Sequence, residues 1–215
     1  MIPNMSFEMF LNRRLLHTLS DVTTDLRRPD ITPERTVVVN INTINGYFHH
    51  GGMFSPRLEK IIPRLVRVNE RYLAAHRLFL CDAHTSASSE LTTYPTHCTA
   101  ERERAVIKEL ANFSGTILPK NCTNGFLTPG YARWLSKNLQ DLDTFLLTGA
   151  MSDISVLQFA LSQKAYLDNI NNRKVRIVAV TNAMQTFSAP EHDGDLMHAF
   201  ARYNLYINGI QLATI

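Results

Sequence analysis

Asp82-Ala83-His84 follows directly on the apolar run Leu78-Phe79-Leu80-Cys81. In extended backbone, residues two apart project to the same side, so this carboxylate and imidazole face one point if strand geometry continues through them. A second imidazole, His97, arrives in Tyr94-Pro95-Thr96-His97-Cys98, with Glu90 in between. A carboxylate with two imidazoles is a sound ligand set for a divalent zinc, iron or manganese ion, with positions left for water or substrate and Glu90 able to supply a fourth ligand. The same residues also suit a plainer use, an aspartate capping a turn and two histidines serving as ordinary polar groups, and spacing alone does not choose.

Three further loops carry reactive types. Lys120 stands just past Thr116-Ile117-Leu118, where an ammonium would lower a nucleophile's pKa or stabilise an oxyanion; its other use is as a solvated surface lysine. Ser155 lies beyond Thr144 to Thr148, near the start of a helical segment, where the helix dipole and free N–H groups favour developing negative charge. A capping serine would occupy the same place. Asn42 opens the polar loop Asn42-Thr43-Ile44-Asn45-Gly46-Tyr47 after the run Val37 to Ile41.

The elements that must position these loops alternate along the chain. β-Branched runs at Val37 to Ile41, Arg77 to Cys81, Thr116 to Leu118, Thr144 to Thr148, Val175 to Val180 and Ile210 to Ala213 read as strands. Helical spacing marks Pro56 to Ala75, Ala100 to Asn112, Pro129 to Asn138, Ile154 to Asn169 and His192 to Asn204. The pattern predicts an α/β fold: a doubly wound, six-stranded, mainly parallel sheet with helices on both faces. In such sheets ligands bind beyond the carboxyl ends of the strands, where the four loops fall. Residues 1–34 read as an N-terminal helical extension, with Phe7, Phe10, Leu11 and Leu15 at helical spacing before Pro29 and Pro33, and residues 35–215 as the domain.

Composition narrows the function classes. The 22 Lys+Arg against 19 Asp+Glu are scattered along the sequence, which argues against a nucleic-acid partner. No apolar stretch approaches the roughly 20 residues that span a bilayer, and the N-terminus lacks the order of a signal peptide, so the expected location is cytoplasmic, off the membrane. Cys81, Cys98 and Cys122 form no C-x-x-C pair and read as free thiols.

Taken together, the loops resemble those of the isochorismatase-like cysteine hydrolases, nearest the nicotinamidase-related branch, over nearly the whole chain from Thr36. Cys81-Asp82-Ala83-His84 with Tyr94-Pro95-Thr96-His97-Cys98 is similar to the family's metal-holding elements, and Lys120-Asn121-Cys122-Thr123-Asn124-Gly125-Phe126 to the segment that bears its catalytic lysine. Thr148 to Leu157 resembles the nucleophile turn, with Ser155 where the family has its cysteine and Asn42 where it has an aspartate. The resemblance implies amide hydrolysis by Asn42, Lys120 and Ser155 as the catalytic positions, with two of the three replaced. A carboxamide cannot shuttle a proton, and a serine needs an adjacent base that a cysteine does not.

The expectation is therefore a catalytically impaired protein that binds a small amide-type ligand and a divalent metal. Two alternatives stand beside it: an active amidohydrolase using Ser155 with Lys120 and a metal, and a non-catalytic subunit of a mixed assembly. A homo-oligomer is expected under all three readings. Met151, in the unusual Ala150-Met151-Ser152, is expected to narrow the pocket.

Overall fold

Strands that are apolar along their whole length can only be satisfied where helices cover both faces of a sheet. The computed structural model describes residues 17–26 and 30–215, and it places such strands at the centre. Seven strands, β1 (Thr23–Asp25), β2 (Thr36–Ile41), β3 (His76–Asp82), β4 (Thr116–Lys120), β5 (Thr144–Ala150), β6 (Arg176–Gln185) and β7 (Gln211–Thr214), form one sheet in the order β1-β7-β6-β5-β2-β3-β4. Every pairing is parallel. The central strands β2 and β5 are buried at every residue.

Alternate residues feed two cores. Val38, Phe79, Leu146 and Val178 meet Leu65 and Val68 of α1 (Ile62–Arg71) on one face. Val37, Leu78, Phe145 and Ile177 face the other way, onto Tyr131 of α2 (Pro129–Asn138), Phe159 of α3 (Leu157–Asn169) and Leu205 of α4 (Gly194–Ile207). Among the described residues no helix is long and apolar enough to cross a membrane.

The predicted α/β class holds, with three local differences. The sheet has a seventh strand, because Thr23–Asp25 pairs with β7 and so starts the sheet inside the segment expected to be an extension. Three polar residues at an edge give no period-two signal; backbone hydrogen bonds to β7 hold them. The expected helix of Phe7, Phe10, Leu11 and Leu15 lies outside the described residues, although residues 17–22 are helical and Leu19 is fully buried.

The helix expected over Pro56 to Ala75 divides into one turn at Pro56–Glu59 and then α1. Pro63 sits in the first turn of α1, where its missing N–H costs nothing; inside a continuous helix its ring would strike the preceding turn. The helix expected over Ala100 to Asn112 shrinks to Glu101–Arg104. Beyond it Ala105 is extended, Val106 bridges Ile44, and Ile107 N–H reaches the Thr43 carbonyl at 3.1 Å. The apolar residues that read as a helix face instead staple the loop after β2.

The chain winds from β2 through β3 to β4 on one side and from β5 through β6 to β7 on the other. The switch point thus lies between the carboxyl ends of β2 and β5, where a crevice opens in this class of sheet. Gly149 makes that junction possible: its φ is +124°, and a Cβ there would sit 1.9 Å from the Ile41 carbonyl oxygen. Gly149→Ala is expected to cost about 3 kcal/mol or to prevent folding, read from urea unfolding curves; unchanged stability would show the strand pair closing in another way.

Candidate functional site

Each site residue stands where a strand ends. Asn42 leaves β2 in a left-handed conformation, φ 52°, while its N–H still pairs with the Leu80 carbonyl at 2.8 Å. Asparagine tolerates that conformation better than most residues. Asp82 closes β3 and Lys120 closes β4, directly in register, so their side chains emerge together. Ser155 lies in a π-helical turn, Ser152–Val156, between β5 and α3.

These side chains converge on the Asp82 carboxylate. Lys120 Nζ donates to Oδ1, while Asn42 Nδ2 donates to Oδ2 at 2.7 Å and the Tyr47 hydroxyl donates to the same oxygen at 2.5 Å. Asn42 also accepts the Asp82 N–H at 3.2 Å and gives its second amide hydrogen to Ser155 Oγ at 3.2 Å. Burial, then the Asp82 charge, pushes the Tyr47 phenol well above its ordinary value, which keeps it a donor. Lys120 Nζ completes its partners with the Cys122 carbonyl at 3.1 Å.

On the other side of Asp82, two imidazoles face two carboxylates. His84 Nε2 lies 3.8 Å from Asp82 Oδ1 and 3.6 Å from Glu90 Oε1, and His97 Nε2 lies 3.9 Å from Glu90 Oε1. One ligand atom from each of Asp82, His84, Glu90 and His97 falls within 4.8 Å of the others. The remaining ring nitrogens are anchored: His97 Nδ1 meets the Pro95 carbonyl at 2.7 Å, and His84 Nδ1 meets Asn121 Oδ1 at 3.2 Å. Carbonyl oxygens only accept, so each Nδ1 carries a proton, and in the neutral ring each Nε2 offers a lone pair inward. His84 Nε2 is buried with no hydrogen-bond partner.

The turn ahead of Ser155 is tightly committed. Met151 adopts φ 61° and is buried, and its carbonyl takes the N–H groups of both Ile154 and Val156 at 3.1 Å. Its sulfur accepts from the Thr186 hydroxyl at 3.8 Å. Ser152 Oγ pairs with His198 Nδ1 at 3.0 Å, and burial, reinforced by the Arg202 and Arg57 charges, lowers His198 to about 4. Asp153 meets His192 Nε2 at 2.7 Å.

All seven residues singled out from the sequence therefore gather in one place. Asn42, Asp82, Lys120 and Ser155 form a hydrogen-bonded group, joined through Asp82 to His84, Glu90 and His97. Sequence reasoning missed the roles of Tyr47, which it placed only in the loop after the first strand, and of Asn121, which orients His84 and whose Oδ1 also takes the Ser88 hydroxyl. Asp153 and His192 went unpaired because they are distant in sequence. Most of the group is buried: Asn42, Asp82 and His84 are 0% exposed, Ser155 1% and Lys120 2%, while the Glu90 side chain keeps 10% exposure.

A parallel sheet with a crevice at its switch point and polar residues at its strand ends is an open, doubly wound α/β domain, and solved structures place the fold more closely. An isochorismatase-like hydrolase from Alkaliphilus metalliredigens superposes with a TM-score of 0.69 at 19% identity, covering 84% of this chain and 94% of that one. A pyrazinamidase/nicotinamidase from Streptococcus mutans gives 0.69 at 18%, covering 82% and 99%. The N-carbamoylsarcosine amidase of Thermoplasma acidophilum gives 0.65 at 22%, covering 84% and 96%. No protein-family model and no curated protein matches the sequence. The chain has the fold of isochorismatase-like hydrolases and nicotinamidases, as its loops led one to expect.

Breaking a buried ion pair leaves one charge stranded, which costs more than the pair contributes. Lys120→Met is expected to destabilise the metal-free protein by about 3–5 kcal/mol, with much of that recovered in Lys120→Met/Asp82→Asn. Denaturant unfolding of the two variants checks this; equal stability of the single variant and the parent would show that Lys120 and Asp82 are not paired.

Proposed function

We propose that this protein uses a hydrolase fold to bind, without turning over, a small amide-type ligand beside a divalent cation. The observation that carries this reading is the direction of one hydrogen bond: Asn42 Nδ2 gives its hydrogen to Ser155 Oγ. A serine becomes a nucleophile by giving its proton to a base, and the group that meets its oxygen here is an amide N–H donor, which cannot take that proton.

Lys120 does not fill the missing role. Its ammonium is committed to Asp82 and the Cys122 carbonyl, and among the described residues no hydrogen bond joins it to Ser155. On either side of Ser155, the N–H groups of Ile154 and Val156 are spent on the Met151 carbonyl. Binding requires none of these steps, and two of the structural relatives are named for amides, a nicotinamidase and an N-carbamoylsarcosine amidase.

The donor set fits a divalent ion. Two inward lone pairs of imidazole nitrogens and two carboxylates, one nitrogen without any partner, are the chemistry of a nitrogen- and oxygen-liganded zinc, iron or manganese site. Asp82, His84, Glu90 and His97 would hold the ion, and when bound it would supply Lewis acidity toward a ligand carbonyl or ring nitrogen. Asn121 and the Pro95 carbonyl hold the imidazoles in orientation for it.

Metal analysis of the purified protein is expected to find one divalent ion per chain, lost in His84→Ala and retained in Ser155→Ala; metal-free protein that takes up no zinc or manganese in a titration would refute the cation site. On a panel of amides including nicotinamide, the parent is expected to show no turnover above background, while Asn42→Asp/Ser155→Cys gains it. Hydrolysis by the parent that disappears in Ser155→Ala would establish an active serine amidase instead.

A further inference from the structure

A cavity of about 460 Å³ opens over the carboxyl ends of β6 and β7, between the segment leading into α1 and the face of α4. Arg57, Lys60, Arg64 and Arg202 line it together with His198, and Asp195 is the one carboxylate on its wall. Asp195 is taken by Arg57 at 2.5 Å, and its own side chain is 84% exposed. Among the described residues neither Lys60, Arg64 nor Arg202 has a carboxylate partner: the Arg64 guanidinium reaches the Lys60 carbonyl at 3.3 Å, and Arg202 reaches Thr23 Oγ1 at 3.4 Å. Arg202 Nε is buried with no partner at all. Four permanent cations against one carboxylate leave the wall strongly positive and one guanidinium under-satisfied.

We propose that this cavity binds the phosphate group of a small molecule. Guanidinium forks match phosphoryl oxygens in pairs, and a multiply charged phosphate neutralises such a wall where a single carboxylate does not. The volume suits a compact metabolite and is too small for a duplex or a membrane surface. The site is independent of the amide-binding reading, because Asn42, Lys120, Ser155 and the imidazole cluster do not line it. It nevertheless touches that centre: His198, on its wall, holds Ser152 at 3.0 Å, in the same turn as Ser155. Burial lowers both Arg202 and His198 from their ordinary values, an electrostatic cost that a bound anion relieves.

Calorimetric titration of the full chain with inorganic phosphate, pyrophosphate, a nucleoside monophosphate and citrate tests the assignment. Saturable binding of at least one phosphate compound, tighter than citrate, is expected, weakened at least tenfold in Arg64→Ala and in Arg202→Gln and unchanged in Lys137→Ala on α2. Inorganic phosphate binding as tightly as the nucleotide identifies free phosphate as the occupant; tighter nucleotide binding identifies a phosphorylated metabolite. Should Arg202→Gln fail to fold, the exposed Lys60→Ala takes its place. No saturable binding, citrate binding as tight as any phosphate compound, or equal loss in the Lys137 variant overturns the proposal.

Discussion

A carboxylate with no exposure to water organises this molecule. Removing an ionised carboxylate from solvent costs several kcal/mol unless its lone pairs are answered, and Asp82 is answered from three sides: an ammonium at the end of β4, an amide at the end of β2 and a phenol in the loop that follows. Each donor belongs to a different stretch of chain, so satisfying one charge fixes how β2, β3, β4 and the loop after β2 meet. The stapling of that loop by Val106 and Ile107 follows the same logic, since Tyr47 reaches Asp82 only when the loop is held down.

The identity of residue 42 decides how that charge is shared. A carboxylate at this position would sit 2.7 Å from Asp82, and two such groups compete for Lys120 or repel one another. The carboxamide removes the conflict: its hydrogens reach both Asp82 and Ser155, its oxygen takes the Asp82 N–H, and Lys120 is left wholly to Asp82. A carboxamide cannot accept and return a proton. Under the proposed binding role, the residue that leaves Ser155 without a base is therefore also the one that satisfies the buried site, and the two effects have a single cause.

Much of this was legible in the sequence because it depends on short-range pattern. Continuous apolar runs mark doubly covered strands, and residues just past them must line the crevice, so Asn42, Asp82, Lys120 and Ser155 could be named before any contact was known. The rest depends on partners distant in the chain. Thr23–Asp25 is a strand only because β7 lies beside it, and Val106, Ile107 and Leu110 mimic a helix face until Ile44 and Thr43 take their backbone. Tyr47 carries no signal of its role because a phenol's partner is invisible without coordinates. The cations Arg57, Lys60 and Arg64 are neighbours in the sequence, but Arg202 joins them only in space, and the overall charge balance conceals the cluster.

The closed state of the site has a structural counterpart in the turn that precedes Ser155. Met151 holds a left-handed conformation uncommon for a residue without glycine's freedom, and the π-helical turn that follows draws two N–H groups onto its single carbonyl. Local strain of this kind costs on the order of 1–3 kcal/mol and persists only where surroundings impose it. Here those surroundings are the Thr186 hydroxyl on the Met151 sulfur, His198 on Ser152 and His192 on Asp153. All three partners come from the end of β6 and the stretch through α4, which also forms one wall of the cationic cavity. A ligand bound to that wall would thus act on the elements that keep the turn strained, whereas one at Asn42 would meet the turn directly; the two sites share a component without sharing a residue that either needs for its chemistry.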